Sequence, residues 1–411
     1  MTADTTRGTV EGGLSAPPRP KAESPRGYLD QEESGFVVQG WCPGALRPMM
    51  SGDGLVVRVR PNAGRLTAAQ AAGIALAARR HGNGLIDLSA RGNVQLRGVT
   101  EVTHPALIDD LRAFGLIDAD ATAEARRNLL VTPFADAATD ALAQAIAAAL
   151  PMAPTLPGKF GFAVDTAGAP VLTATPADIR LETGVSGGLI LRADGARLGA
   201  PVTTEQAAGA AVALAHWFVD KGGISSGRGR MAALIALGML PDGALSGTEA
   251  PAPPAPVPGP GLVDQGVLVG FEFGQMAAET LLALSRLGDI RVTPWRMLLI
   301  EGVRSLPDTR GLILDAGSAL LRVQACTGAP GCLQGLQPTR ALARRMAPQV
   351  PTGQMLHVSG CAKGCAYPTR ADFTLVATAK GFDLILDGTA ADIPTLTALS
   401  AETVELTQGR R

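Results

Sequence analysis

Four of the five cysteines lie in one late stretch of the chain, where their spacing suits a metal centre. Cys326 and Cys332 form a C-x5-C pair, and Cys361 and Cys365 form a C-x3-C pair further on. Thiolates are soft ligands, and four of them suit either a tetrahedral zinc ion or an iron–sulfur cluster. Structural zinc usually takes cysteines separated by about two to four residues, whereas a cubane has corners farther apart and accepts wider loops. We therefore predict a [4Fe–4S] cluster, with a zinc ion or unmetallated thiols as alternatives.

The composition is that of an ordinary globular protein. The chain has 411 residues, of which 46% are hydrophobic and 18% charged, and its net charge is −1. This length allows two or more cores, and the charge balance gives no indication of nucleic-acid binding. No apolar run approaches the roughly 20 residues that a membrane span needs. We expect a cytoplasmic protein without disulfides, because the first residues lack the apolar core of a secretion signal.

The order of predicted elements repeats along the chain. A capping box at Thr67 and Gln70 begins a helix that ends near Gly82. Alternating apolar and polar residues predict strands around this helix, at 55–60, 85–89 and 94–99. The same order returns after a proline-rich segment at 250–261, with a strand at 267–273, a helix at 276–287 and two strands that end near 303. The repeat indicates an internal duplication, and a ligand site is expected between the halves.

The cysteine spacing resembles the cluster motif of the sulfite and nitrite reductase superfamily. In that superfamily the last of the four cysteines also bridges the cluster to a second metal centre, and here that residue is Cys365. The resemblance implies an α+β fold of duplicated ferredoxin-like half-domains plus two mixed α/β lobes, related by a pseudo-twofold axis. The predicted segments are a disordered leader (1–33), the first half-domain (34–118), the first lobe (119–245), a linker (246–262), the second half-domain (263–305) and the second lobe with the cluster (306–411).

Basic and amide residues of the first half fall in segments similar to those that hold the tetrapyrrole or its anionic ligand in this superfamily. Arginine forks suit carboxylates, so the resemblance implies a substrate-binding set of Arg91, Asn93, Gln95, Arg127, Asn128, Lys159, Arg228 and Arg230. Lys159 and Arg127 are also the predicted catalytic residues. A solvated basic surface is the alternative reading of any one of these arginines.

Other segments resemble one family within the superfamily, the precorrin-3B synthases of cobalamin biosynthesis. They are WCPGALRPM (41–49), LSARGNVQLRGV (88–99), RVTPWR (291–296) and HVSGCAKGCAYP (357–368). Two features depart from what the resemblances lead us to expect. Gly161 stands where sulfite reductases carry a second anion-binding lysine, and Tyr367 stands where we expect histidine. Losing a charge beside a reacting oxyanion argues against anion reduction.

The precorrin-3B synthase resemblance implies an O2-dependent monooxygenase. Its substrate would be precorrin-3A, which is hydroxylated at C-20 with formation of a γ-lactone. The implied cofactors are the [4Fe–4S] cluster and a mononuclear iron that activates O2. The segment GRGRMA (227–232) follows a helix and a loop instead of a strand, so it does not indicate a dinucleotide site. Electrons from NAD(P)H are therefore expected through a partner reductase.

Two other functions stay open at this point. One is a siroheme-dependent sulfite or nitrite reductase, and the other is a non-catalytic iron–sulfur protein that senses or carries a tetrapyrrole. Cys42 is either a small buried apolar residue or part of the pocket. His357 lies four residues before Cys361, and a core or surface position is the simpler interpretation of it.

Overall fold

The computed structural model describes residues 43–406, so the predicted leader and Cys42 lie outside the described residues. The strands of the first half are β1 (Met49–Ser51), β2 (Gly54–Val59), β3 (Arg65–Leu66), β4 (Leu85–Leu88), β5 (Val94–Val99), β6 (Leu129–Val131), β7 (Phe162–Asp165), β8 (Ile179–Thr183), β9 (Leu189–Ala193) and β10 (Ala200–Pro201). Those of the second half are β11 (Gly261–Val263), β12 (Gly266–Gly270), β13 (Gln275–Ala277), β14 (Ile290–Val292), β15 (Met297–Glu301), β16 (Val323–Ala325), β17 (Leu356–Ser359), β18 (Ala371–Thr378), β19 (Gly381–Gly388) and β20 (Leu396–Leu399). The α-helices are α1 (Ala68–His81), α2 (His104–Ala113), α3 (Ala121–Arg126), α4 (Ala137–Ala149), α5 (Thr204–Asp220), α6 (Met231–Ala236), α7 (Ala278–Leu284) and α8 (Arg340–Met346).

Local capping determines where α1 begins, as the sequence predicts. The Thr67 hydroxyl accepts a hydrogen bond from the backbone N–H of Gln70, whose side-chain oxygen accepts one from the Thr67 N–H. Two otherwise unpaired backbone donors are satisfied in this way. The helix ends at Gly82, so the predicted capping box and C-cap are both confirmed.

The two half-domains exchange their edge strands. One sheet has the order β1-β2-β5-β4-β13, and the other has the order β11-β12-β15-β14-β3. Thus β13 of the second repeat completes the sheet of the first repeat, while β3 of the first repeat completes that of the second. One continuous apolar core lies between the two sheets and the helices of both repeats. The exchange makes the two half-domains a single folding unit.

The sequence prediction of one helix at 276–287 is wrong at its N-terminal end. Met276 and Ala277 belong to strand β13, and the helix covers Ala278–Leu284. Met276 pairs with Ile86 of β4, a partner far away in the sequence. A tertiary contact of this kind overrides local helix propensity.

The two lobes share one topology. Strands β6, β7 and β8 run parallel and are followed by antiparallel β9 and β10, and the sheet of β16 to β20 has the same arrangement. Each lobe has its own apolar core. The predicted α+β architecture of duplicated half-domains and two mixed lobes is therefore confirmed. Among residues 43–406, no helix combines the length and the apolar character that crossing a membrane requires.

Candidate functional site

The four late cysteines line a single cavity of 320 Å³ between the second lobe and the first half-domain. Cys326 directly follows β16, and the loop after β17 carries Cys361 and Cys365, so the parallel pairing of these strands brings both loops to one edge of the sheet. Cys326, Cys332 and Cys361 are half-buried and Cys365 is exposed, and all four residues line the cavity. The structure thus brings the predicted cluster ligands together.

The thiols lie within electrostatic reach of one another. Desolvation raises the pKa of Cys361, and negative charge on Cys326 and Cys332 would raise it further. Desolvation also raises the pKa of Cys365, to about 11. Four thiolates at this place would repel one another, so a bound cationic group is needed to hold them all ionised. The backbone N–H of Gly360 donates a hydrogen bond of 3.1 Å to the sulfur of Cys326.

A β-hairpin of the first half-domain holds the first cysteine loop in place. The Ser51 hydroxyl and the Arg97 guanidinium donate hydrogen bonds of 2.7 and 2.9 Å to the carbonyl oxygen of Gly331, next to Cys332. A Cβ on Gly52 would lie 2.0 Å from the carbonyl oxygen of Pro330, so only glycine allows this close approach. The loop is therefore docked against the β1–β2 turn.

Three basic residues also line this cavity and form its basic wall. Arg58 of β2 and Gln95 of β5 are directly paired across the sheet, and the Arg58 guanidinium donates hydrogen bonds of 3.1 and 2.8 Å to the Gln95 side-chain oxygen. Arg97 also lines the cavity and is paired with Asp53, and Lys363 of the second cysteine loop completes the basic lining. Gln95 is thus the predicted binding residue that lies beside the cysteines.

Sequence reasoning missed Arg58, Arg97 and Lys363. A signal for the first two was present, because residues i and i+2 of a strand share one face. Gln95 and Arg97 are two apart on β5, and Arg58 faces Gln95 once the register of the two strands is known. That register depends on a pairing between strands that the sequence does not display.

Four other predicted binding residues meet around the turn at 157–161 in the first lobe. Arg91 donates to the carbonyl oxygen of Lys159 at 3.2 Å, and the Asn128 side chain donates to that of Phe160 at 2.7 Å. Arg230 pairs with the fully buried Asp178, which accepts the backbone N–H of Gly161. Burial raises the pKa of the Asp178 carboxyl, against the opposing effect of Arg230. Lys159 itself is exposed.

The Arg127 side chain faces away from this turn. Its guanidinium makes a two-pronged ion pair with Asp118, at 2.8 and 2.9 Å, and donates to the backbone carbonyls of Arg60 and Pro61. Its predicted binding and catalytic roles would require it to leave these partners, and they stay predictions. Arg228 lies exposed in a turn before α6, and Asn93 is buried in the turn between β4 and β5.

Gly161 is buried against Asn128. A Cβ at this position would lie 2.7 Å from the Asn128 side-chain nitrogen and 3.1 Å from the backbone carbonyl oxygen of Asn128. A glycine at this position therefore does not open space for a substrate, because Asn128 fills it. A lysine at position 161 would have to displace Asn128 from the space that it now fills.

His357 lies beneath the second cysteine loop. The residue is 0% exposed, and neither ring nitrogen has a hydrogen-bond partner within residues 43–406. Burial lowers the pKa of His357 to about 4, and the nearby Arg296 adds to this shift. The imidazole is therefore neutral at pH 7. The ring of Tyr367 packs edge-on against it, with centroids 6.1 Å apart.

Thiolate chemistry and the shape of the site suit an iron–sulfur cluster. Within residues 43–406, no group of three or more histidine, cysteine, aspartate or glutamate side chains is arranged to hold a metal ion. The four cysteines line a shared cavity, and a backbone N–H is directed at one sulfur. Cysteine ligands with hydrogen bonds to sulfur are the features that hold and tune such clusters.

Comparison with known proteins agrees with the fold. A family model described as the nitrite/sulfite reductase ferredoxin-like half domain matches residues 47–114. A protein named precorrin-3B synthase from Sinorhizobium sp is 30% identical over 395 residues, covering 87% of this chain and 84% of that protein. A protein named nitrite reductase (NAD(P)H) from Emericella nidulans is 26% identical over 151 residues, covering 32% of this chain and 14% of that protein.

A solved structure also matches. The structure of the Mycobacterium tuberculosis NirA protein superposes with a TM-score of 0.61 at 19% identity, covering 81% of this chain and 74% of that one. At this identity the match shows the fold alone. The similarity to the Sinorhizobium protein, in contrast, extends over most of both sequences. The chain belongs to the precorrin-3B synthase family, within the sulfite and nitrite reductase superfamily.

Proposed function

We propose that this protein is a precorrin-3B synthase of cobalamin biosynthesis. It uses O2 to hydroxylate precorrin-3A at C-20, and the ring A acetate closes a γ-lactone. One oxygen atom enters the macrocycle and the other leaves as water, with two electrons and two protons supplied from NAD(P)H through a partner reductase. The observation that carries the proposal is the single cavity in which four cysteines face a basic wall.

Cys326, Cys332, Cys361 and Cys365 would hold the cluster. A [4Fe–4S] cluster bound at these thiolates would supply single-electron transfer, and the Cys365 thiolate is the ligand that a second iron centre would share. The support for a cluster is the chemistry of the donor set, since all four cysteines line one cavity and Gly360 donates a hydrogen bond to the sulfur of Cys326.

The basic wall would bind and orient the substrate. A precorrin is a polycarboxylate macrocycle, and Arg58 and Lys363 present positive charge on the lining of the cavity, whereas the charge of Arg97 is paired with Asp53. Arg58 is held in place by Gln95, so its guanidinium is ordered before a ligand arrives. A preorganised donor of this kind orients a carboxylate at a low entropic cost.

Apolar residues would keep water away from the reacting carbon. Met49, Met50, Val56 and Leu333 line the same cavity and give it a predominantly apolar surface. Leu333 is 70% exposed and Met50 is 52% exposed, so a bound macrocycle would cover apolar surface that now faces solvent. That burial favours binding by about 25 cal/mol for each Å² of apolar surface removed from water.

The residues around the turn at 157–161 are a second candidate contact for the macrocycle. Arg91 and Lys159 contribute positive charge there, and Asn128 and Arg230 order the turn. We propose that these residues contact the peripheral carboxylates, while the residues beside the cysteines orient the reacting edge. Arg127 would join them only if its pair with Asp118 opens.

An isotope experiment tests the reaction. Protein reconstituted with iron and sulfide is incubated with precorrin-3A, an artificial electron donor and 18O2, and the product is analysed by mass spectrometry. We expect label in the C-20 hydroxyl from 18O2 and none from labelled water. Label that arrives from water, or turnover without O2, would refute the oxygenase reaction. Efficient reduction of sulfite or nitrite after addition of siroheme would favour the reductase alternative.

Two matched variants test the substrate wall. Arg58→Gln removes one charge beside the cysteines, and Arg286→Gln makes the same change at an exposed arginine after α7. A lost charge-assisted contact costs roughly 1.5–3 kcal/mol, or at least tenfold in affinity. We expect weaker precorrin-3A binding only in Arg58→Gln, with an unchanged iron–sulfur spectrum in both. Equal affinities for the two variants would exclude Arg58 from the binding wall.

A further inference from the structure

Arg296 adopts a left-handed backbone conformation, and the corresponding residue of the first repeat is a glycine. The turns after β4 and β14 have the same hydrogen bonds, because Ser89 and Thr293 each accept the N–H groups two and four residues later. In this register Gly92 corresponds to Arg296, with φ of 62° and 60° respectively. The left-handed region is uncommon for residues other than glycine. A strained residue that persists is a reason to look for a function.

The surroundings of Arg296 accommodate it specifically. A Cβ on Gly274 would lie 2.8 Å from both the Cβ and the Cδ of Arg296, so a glycine makes room for the arginine stem. The guanidinium donates hydrogen bonds of 2.7 Å to the Gln324 side-chain oxygen and 2.8 Å to the Ala366 carbonyl oxygen. Gln324 precedes Cys326 by two residues, and Ala366 directly follows Cys365. Arg296 therefore connects strand β16, which leads into the first cysteine loop, to the second cysteine loop.

Arg296 also brings positive charge to the site. No carboxylate within residues 43–406 makes an ion pair with it, although Asp87 and the Cys326 thiol lie within electrostatic reach. Burial lowers the pKa of Arg296, yet a guanidinium stays protonated in proteins. A half-buried charge without a direct counterion is costly, and the net negative charge of a cluster together with its four cysteine thiolates would offset that cost.

We propose that Arg296 is a positioning residue that joins strand β16 to the second cysteine loop and, through its charge, favours the reduced state of an iron–sulfur cluster held by the cysteines. Reduction makes a thiolate-bound cluster more negative by one charge, and nearby positive charge stabilises the more negative state. This inference rests on the proposed cluster. It concerns the reduction potential, which can be measured without substrate.

The experiment is a redox titration of the reconstituted protein, followed by the absorption and electron paramagnetic resonance of the cluster. Arg296→Gln removes the charge and keeps hydrogen-bond donors, and Arg296→Lys keeps the charge and loses the fork. Arg344→Gln is the matched control, since this arginine of the second lobe is exposed and paired with Glu272. We expect the ratio of reduced to oxidised cluster at a fixed potential to fall about tenfold in Arg296→Gln, a shift of about 59 mV.

The variants separate charge from geometry. A potential near the wild-type value in Arg296→Lys, with faster loss of iron to a chelator, would support both parts of the proposal. A potential in Arg296→Gln equal to that of the Arg344→Gln control would overturn it. So would an equal shift in Arg296→Gln and Arg296→Lys, because charge would then have no part. If Arg296→Gln holds no cluster, a normal potential in Arg296→Lys supports the proposal and a lowered one overturns it.

The wild-type protein is measured first. Iron and sulfide contents that stay at background after reconstitution would refute the cluster itself, and the role of Arg296 with it. A failure seen only in the variants bears on Arg296 alone.

Discussion

Replacing Gly161 by alanine should destabilise the first lobe through Asn128. The new methyl group would lie 2.7 Å from the Asn128 side-chain nitrogen, a distance that no Cβ tolerates, so the amide must rotate away. Rotation breaks its 2.7 Å hydrogen bond to the carbonyl oxygen of Phe160, a residue that is 3% exposed. Leaving a buried acceptor unpaired costs about 1–3 kcal/mol, and we expect a loss of unfolding free energy in this range.

The assay is urea unfolding, followed by circular dichroism, of four proteins that form a double-mutant cycle. They are the wild type, Gly161→Ala, Asn128→Ala and the double variant. Because Asn128→Ala removes the clashing amide beforehand, Gly161→Ala should cost at least about 1 kcal/mol less in that background. The remaining contact is the Asn128 carbonyl oxygen at 3.1 Å. Additive effects of the two changes would refute the reasoning.

The same substitution at Gly209 is the matched control. This glycine lies inside α5, and a Cβ added there would have no neighbouring atom within 4 Å, so Gly209→Ala should stabilise the protein by about 0.5–1 kcal/mol through helix propensity. The contrast also bears on activity. Gly161→Lys should be at least as destabilising as the alanine variant, and it should not create an efficient sulfite reductase, because the added lysine must first displace Asn128.

Three further predictions concern the cysteines, two basic residues of the first lobe and His357. Cys326→Ser should abolish most of the bound iron and sulfide, whereas Cys42→Ser, the same change at the fifth cysteine, should keep both; equal contents would refute the ligand assignment. Arg127→Ala leaves the Asp118 carboxylate unpaired and should lower the unfolding free energy by roughly 2–3 kcal/mol. Lys159→Ala changes an exposed side chain and should weaken only tetrapyrrole binding. An unchanged urea midpoint for Arg127→Ala would show that its pair with Asp118 does not stabilise the fold. His357 has a folded-state pKa lowered to about 4 from 6.5, so its neutral form contributes stability that is present above pH 6.5 and is lost as the pH falls towards 4, by up to about 3 kcal/mol. His357→Leu should remove this part of the pH dependence of the urea midpoint, and identical slopes for wild type and variant would contradict it.

Local signals in the sequence predict the parts of the fold that local interactions decide. The capping box at Thr67 correctly locates the start of α1, and the alternation at 94–99 matches β5 residue for residue. The same reasoning gives the wrong structure for the segment that begins at Met276. Its apolar and alanine-rich character is typical of a helix, yet pairing with Ile86 of the other repeat makes its first residues a strand. Exchange of edge strands leaves no trace in the local pattern.

The candidate site divides in a similar way. The cysteine spacing alone predicts a shared metal centre, and the structure gathers the four thiols around one cavity. The basic wall needs the cross-strand register of Arg58 and Gln95, and the role of Arg296 needs the comparison of two turns. These are relations between distant segments, so a residue-by-residue inspection of the sequence does not disclose them.

The cysteine cavity lies in the second lobe because the corresponding loops of the two lobes pack differently. In the first lobe the loops that follow β6 and β7 are closed by an apolar cluster, in which Leu172 is fully buried and Phe134 stacks on Trp295. Large side chains fill the place that corresponds to the cysteine site.

In the second lobe the corresponding loops meet through glycine. A Cβ on Gly335 would lie 2.5 Å from the backbone of Ala329, and one on Gly360 would lie 3.1 Å from the Cα of Gly328 and 3.3 Å from the sulfur of Cys326. Backbone thus packs on backbone where these loops meet. Large apolar side chains fill the space between these loops in the first lobe, whereas glycines let the loops approach each other in the second lobe. The four cysteines of the second lobe line a cavity there.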